Sequence, residues 1–222
     1  MPGDEPSYWR SAAEDEAMQY EHRFVWEAMV KAVDSELAGR RVLDIGCNRG
    51  GFLRMLYDSR HIAEGRGYDP AEAAIADARR LAGTRPLQFE AAGNIPVGWG
   101  RFDVAFSHEV IYLISDLGAH AESVYGALVA GGSYYAVMGV HAASPLMAEW
   151  HREHAAELRL PPLHEVDGVA ASFAAAGFEV AASRLNIGFV PLSAQPPRVV
   201  EWLDYYNEKK LLFQFTRPFA GG

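Results

Sequence analysis

Arg41-Val42-Leu43-Asp44-Ile45-Gly46-Cys47-Asn48-Arg49-Gly50-Gly51 is the stretch on which the reading of this chain turns. Val42, Leu43 and Ile45 are branched apolar residues suited to a strand buried on both faces. Asp44 stands near the carboxyl end of that strand, and Gly46 opens a sharp turn. Gly50 and Gly51 let a backbone come close to whatever lies above them, and Phe52, Leu53 and Leu56 follow at helical spacing. Strand, acidic residue, glycine turn, helix: an open α/β sheet makes its ligand crevice in this way, at the carboxyl ends of its strands.

The glycine spacing narrows the ligand. A dinucleotide turn reads G-x-G-x-x-G and faces a pyrophosphate; here Gly46 is followed by Gly50 and Gly51, with Asn48 at the middle position. No G-K-[ST] follows, which removes a nucleotide-triphosphate loop. A carboxylate two residues ahead of the first glycine repels phosphate and suits a cation. The pattern Asp44-x-Gly46-x-Asn48-x-Gly50 resembles motif I of the class I S-adenosylmethionine-dependent methyltransferases, D/E-x-G-x-G-x-G. The resemblance implies a doubly wound α/β domain: a seven-stranded, mostly parallel sheet with its last strand antiparallel and helices on both faces. It also implies S-adenosyl-L-methionine as cofactor, held through Asp44, Gly46, Cys47, Asn48 and Gly50. That molecule carries a sulfonium and an ammonium and no phosphate, so its charge matches the acidic loop.

At 222 residues the chain fits one domain, 1–222, with material for a small cap. Half of its residues are hydrophobic and 22% are charged, as in a soluble globular protein. A net charge of −9 and a pI near 5.4 disfavour a nucleic-acid partner. Cys47 is the one cysteine, so neither an internal disulfide nor a cysteine-based zinc framework can form. Met1 to Glu5 carry no apolar run and no long apolar stretch occurs elsewhere. The expectation is a cytoplasmic protein with no secretory signal and no membrane span.

On the amino-terminal side, residues 1–13 read as a mobile tail in which Tyr8 and Trp9 are candidate substrate contacts. From Glu14 to Leu37 the periodicity predicts a helix covering the sheet, with Tyr20, Phe24 and Trp26 as packing residues. On the carboxyl side, Asp69 closes a second strand some 20 to 25 positions past the glycine turn and precedes Pro70, the expected first residue of a helix that Asp69 would cap. By resemblance Asp69, with Pro70, holds the cofactor's ribose. A carboxylate accepts two hydroxyl hydrogen bonds there. Leu87 to Ala91 reads as the third strand. Relatives often place an aspartate after it against adenine; this chain has Ala91 and Ala92, with the Asn94 amide or the backbone at Ala92 and Gly93 as substitutes.

Phe102-Asp103-Val104-Ala105-Phe106-Ser107-His108-Glu109-Val110-Ile111-Tyr112 resembles the family's fourth strand and its following loop. Ser107 and His108 would then border the cofactor's sulfonium, and Tyr112 the acceptor side. A helix from Ser115-Asp116 to Gly131-Gly132 and a fifth strand over Ser133 to Val140 come next. Beyond them Ser144 to Leu158 and Val166 to Ala176 read as helices, Phe178 to Leu185 as a strand, Val199 to Tyr206 as a short aromatic helix, and Leu211 to Thr216 as the final strand. Segments 141–163 and 186–209 are the expected cap and substrate insertions, rich in aromatic and proline residues that suit walls over a small organic acceptor.

The resemblance implies in-line methyl transfer, for which a base is needed only if the acceptor is protonated. His108 and His141, each just past a strand, are the candidate bases. His151 and His154 are spaced i, i+3 without carboxylate support and read as a solvated face rather than a metal site. No N/D-P-P-Y/F follows the fourth strand, which disfavours methylation of adenine or glutamine amino groups. A single cysteine leaves no cytosine-type nucleophile, and no carboxylate cluster marks a magnesium site. Two rivals stand beside a small-molecule methyltransferase: a non-catalytic cofactor-binding protein acting as partner or scaffold, and a nicotinamide oxidoreductase, against which the glycine spacing counts.

Overall fold

A computed structural model of the chain describes residues 12–33, 36–190 and 198–219. Tyr8, Trp9 and most of the expected tail lie outside the described residues. The first helix, α1 (Ala12–Ala32), begins two residues before the tail was expected to end.

The central strand β1 (Arg41–Ile45) lies between β2 (Glu64–Asp69) and β4 (Phe102–His108), parallel to both, with Asp44 opposite Gly67 on one side and Phe106 on the other. β3 (Leu87–Ala91) closes one edge beyond β2. On the other side β5 (Leu128–Gly139) pairs parallel with β4. The last strand in sequence, β7 (Lys210–Thr216), is inserted antiparallel between β5 and the edge strand β6 (Glu179–Arg184). The order is thus β3-β2-β1-β4-β5-β7-β6, a seven-stranded sheet with one antiparallel member, as the resemblance implied. The chain reverses direction of travel across the sheet between β1 and β4, and the crevice opens there.

Alternation along the strands feeds two cores. On one face Val42, Val104 and Val137 pack against Val25, Trp26 and Met29 of α1 and Phe52, Leu53 and Leu56 of α2 (Gly51–Arg60). On the other, Leu43, Ile45 and Ala105 meet α4 (Leu117–Ala127) and α6 (Val166–Ala175). There the rings of Phe173 and Phe215 stack with centroids 3.7 Å apart.

Two boundaries differ from expectation. Helix α3 (Glu72–Ala82) starts after Pro70, with Ala71 and not Asp69 at its cap position. The Asp69 carboxylate is used otherwise, accepting from Ala71 N at 2.9 Å and from Asn48 N at 3.0 Å. Helix α4 ends before Gly131-Gly132, since both glycines lie in β5, where Gly131 N donates to Arg217 O and Arg217 N to Gly132 O. The extension of β7 captures that backbone before the helix can. Two further helices, α5 (Pro145–Leu158) and α7 (Val199–Asp204), the latter running into a π-helical turn at Tyr205–Lys209, stand over the carboxyl end of the sheet.

A candidate methyl-donor site at the carboxyl end of the sheet

The elbow after β1 is held by its neighbour strand. Gly46 N and Cys47 N both donate to Tyr68 O at 3.0 Å, and Asn48 N is taken by the Asp69 carboxylate. Gly46 has φ +72°, and a Cβ on it would stand 2.5 Å from a Val110 methyl. Asn48 is also left-handed, at φ 46°, a region asparagine tolerates; its side-chain oxygen accepts from Arg49 N at 2.6 Å. Gly50 does not face the crevice. A Cβ there would collide with the ring of Phe89, so this glycine is needed for packing beneath the elbow.

Above the elbow is a cavity of about 980 Å³. Asp44, Gly46, Cys47, Asn48, Asp69, Pro70, Ser107, His108, Tyr112 and His141 all line it. Asn94 does not; it is exposed, and Gly93 supplies the wall beside it. Burial, with the nearby Asp69 charge, pushes the Asp44 carboxyl well above the usual carboxylate range. Burial, then the charges of Asp44 and Asp69, likewise push the Cys47 thiol up, which keeps it protonated and unreactive. Ser107 and Tyr134 share a buried hydroxyl–hydroxyl hydrogen bond of 2.6 Å.

The sequence reading treated α1 as cover, yet Gln19, His22, Trp26 and Met29 of that helix form one side of the cavity. Their spacing, with polar side chains on the same stripe as apolar ones, was the available signal. Arg54 donates to Gln19 Oε1 at 3.1 Å, which orients the Gln19 amide so that Nε2 is the group left over. Trp26 Nε1 donates to His108 Nδ1 at 3.2 Å, and the His22 ring stands edge-on to His108 at 4.8 Å. Burial first, then Lys210 and His22, hold the His108 imidazole well below the ordinary histidine range; His22 is depressed to about 4, chiefly by burial.

The opposite side comes from the two carboxyl-terminal segments. Leu146, Met147, Trp150, His154 and Leu158 project from α5; Trp202, Tyr205, Tyr206 and Lys210 come from the end of the chain. His151 and His154 are half-buried, not a solvated face: one nitrogen of each ring donates to a carbonyl (His151 Nε2 to Pro161 O, His154 Nδ1 to Trp150 O), and His154 stacks on the Trp150 ring at 5.1 Å. Among the described residues no group of three metal-ligating side chains converges.

At the junction of the two sides Glu109, left-handed at φ 57°, turns back beneath the cavity. It pairs with the buried Lys210 ammonium and accepts from Gly139 N at 3.1 Å and Tyr205 OH at 3.3 Å. Burial opposes its charge, but Lys210 and the hydrogen-bonded His141 outweigh that and hold the carboxyl well below its usual range.

Five of the seven buried polar side-chain atoms that have no hydrogen-bond partner among the described residues belong to this cavity: Gln19 Nε2, Asp44 Oδ2, His108 Nε2, His141 Nδ1 and Trp202 Nε1. Native proteins leave few such atoms, so a cluster of them around one cavity marks a place where water or a polar ligand would bind. The acidic elbow on β1, the carboxylate at the end of β2 and the cavity at the switch point are the features of a Rossmann-like site whose charge suits a cationic nucleoside. Sequence comparison agrees: residues 16–183 match the methyltransferase-domain family, and the chain belongs to it. A malonyl-[acyl-carrier protein] O-methyltransferase from Legionella pneumophila is 36% identical over 89 residues, a match spanning 37% of this chain and only 30% of that protein. In fold, a chain of the Haloferax volcanii complex between the Trm112 methyltransferase activator and a methyltransferase superposes with a TM-score of 0.76 at 22% identity, covering 93% of this chain and 95% of the other. Geranyl diphosphate C-methyltransferase from Streptomyces coelicolor, solved with S-adenosyl-L-homocysteine, gives 0.71 at 14% identity over 96% and 86% of the two chains.

Proposed function

We propose that this chain transfers a methyl group from S-adenosylmethionine to a small organic acceptor. The observation that carries the reading is Asp44 Oδ2, a buried carboxyl oxygen at the elbow that no group among the described residues satisfies. Leaving it so costs on the order of 1–3 kcal/mol, a cost that a cationic ligand removes. Asp44 and the backbone of Gly46, Cys47 and Asn48 would hold the amino-acid end of the cofactor, Asp69 with Pro70 its ribose, and Gly93 the adenine side. When bound, the cofactor supplies an electrophilic methyl carried on a positively charged sulfur. The chain's own task is to orient the acceptor and exclude water, which α1 on one side and α5 with the 202–210 segment on the other are placed to do.

A cavity of about 980 Å³ has room for a nucleoside cofactor and a small acceptor together, at the upper end of the roughly 300–1,000 Å³ of small-molecule sites. The apolar and aromatic walls favour an organic acceptor over a polyanion, as do the net negative charge and the absence of a basic stripe in the lining. Calorimetry with S-adenosylhomocysteine, S-adenosylmethionine and NAD tests the assignment. Binding of the first two and not of NAD is expected, with at least a tenfold loss in Asp44→Asn. Tight NAD binding without the sulfur nucleosides would overturn it. Release of S-adenosylhomocysteine with a panel of small acceptors then separates an enzyme from a cofactor-binding scaffold.

A further inference from the structure

Of the four histidines that line the cavity, His108 and His141 have partners that give them opposite chemistry. The His108 ring accepts the Trp26 indole N–H at Nδ1, so its neutral form carries its proton on Nε2. That nitrogen is buried, without a partner among the described residues, and is a donor. The His141 ring is arranged the other way round. Its Nε2 lies 3.5 Å from Glu109 Oε2 and 3.4 Å from Tyr205 OH. The Tyr205 hydroxyl can donate to Glu109 Oε1, which leaves its lone pair toward the imidazole. Nε2 therefore faces two acceptors and keeps the proton, and the lone pair is on Nδ1, buried and without a partner among the described residues.

The surroundings fix that arrangement. Lys210 and Tyr205 both load onto Oε1 of Glu109, so Oε2 is shared only between His141 and the longer branch of the Gly139 N–H at 3.4 Å. Tyr112 covers one face of the imidazole with ring centroids 4.3 Å apart, and Trp150 stands edge-on at 6.5 Å. The separations of 3.5 Å and 3.4 Å at Nε2 are slightly long for hydrogen bonds, as is common where a catalytic pair tightens only on loading.

We propose that His141 is the general base, Glu109 its positioning residue with Lys210 fixing Glu109, that His108 serves as an N–H donor to the acceptor, and that the acceptor is a protic oxygen compound of the phenol class. The inference rests on the methyltransferase reading above. In the step, the acceptor oxygen keeps the O–H electron pair and forms the bond to the methyl carbon. The carbon–sulfur pair stays on sulfur, and the proton passes to His141 Nδ1, making an imidazolium opposite the Glu109 carboxylate. A flat ring carrying the hydroxyl matches walls made by Tyr112, Trp150 and Trp202.

Nitrogen-15 NMR of the histidine rings in the full chain, with and without S-adenosylhomocysteine, reads the tautomers directly, with signals assigned through His141→Asn and His108→Asn. The expected result is His141 protonated on Nε2 and unprotonated on Nδ1 near neutral pH, weakening toward a tautomer mixture in Glu109→Gln. Because Glu109→Gln leaves Lys210 buried opposite an amide, Tyr205→Phe serves as a second variant and shifts the same signals in the same direction. A His141 protonated on Nδ1 overturns the base assignment while leaving homocysteine-nucleoside binding, and so the functional reading, intact. 4-Nitrophenol, added to the loaded protein at a pH where it is neutral in solution, should develop its ionised visible band on binding, and lose it in His141→Asn. Failure to bind, or binding without the band, overturns the acceptor class.

Discussion

The elbow after β1 and the wall formed by α5 and residues 202–210 meet across one cavity but are held by different physics. At the elbow the backbone does the holding: Gly46, Cys47 and Asn48 each give their N–H to β2 or to Asp69 at its end. Side-chain identity there is restricted by conformation and close approach, which is why glycine recurs. On the far wall the chain is held by ring packing and by one buried ion pair, Lys210–Glu109, joining the last strand to the end of the fourth. Trp202 on Tyr206 and Trp150 on His154 are stacked pairs that many apolar substitutions could imitate. A backbone-held site keeps one ligand; a side-chain-held wall can be refitted for different acceptors on an unchanged cofactor floor.

The largest effect should come from breaking the charge that anchors the far wall. Lys210→Met leaves the Glu109 carboxyl buried beside His141 without its cation, and should cost about 3 kcal/mol in urea unfolding. A loss of under half that would mean the wall is held by its rings alone. On the elbow side, Asp69→Asn keeps the shape but weakens the carboxylate's bonds to Asn48 N and to a ribose. Cofactor affinity should fall by about 1–3 kcal/mol, measured by calorimetry, with little loss of folding stability. An unchanged affinity would remove Asp69 from the site.

A third prediction uses pH. His22, in the cavity, and His120, packed on Tyr134 and Phe173 away from it, both titrate near 4 when folded, chiefly or wholly through burial, against about 6.5 unfolded. Between these values the unfolded chain binds more protons. The stability each neutral ring confers is therefore complete above pH 6.5 and is lost as pH falls toward 4. The slope is at most about 1.4 kcal/mol per pH unit per ring. His120→Phe should flatten the unfolding free energy against pH over this window; comparing variant with parent cancels the opposite trend of Asp44. Bound S-adenosylhomocysteine should alter the slope remaining in His120→Phe, because His22 and Asp44 line the cavity and His120 does not. Smallest of all is Arg198→Ala, which breaks an exposed bridge to Glu149 of α5 and another to Glu201 within the start of α7, and should leave the urea midpoint unchanged within error.

Much of the cofactor side was legible because its signals are local. The strand–turn–helix at 41–53, the strand ending at Asp69 and the strand ending at His108 are each continuous segments, and their periodicity and glycine placement carry the fold order. Even there, neighbours reassigned details. Asp69 serves the elbow and the turn rather than the cap of α3, Gly50 serves Phe89 rather than a ligand, and Asn94 yields its place to Gly93. The α1 contribution was missed since Gln19 and His22 share a stripe with apolar residues and acquire meaning only when that stripe closes over His108.

Sequence alone determined the sheet, the crevice and the charge of the ligand, because those depend on residues within a few positions of one another. Only the tertiary structure decided which histidine holds a lone pair and which a proton. That choice is set by partners 82, 32 and 64 residues away, Trp26 for His108 and Glu109 and Tyr205 for His141, and no local pattern encodes a hydrogen bond made across the sheet.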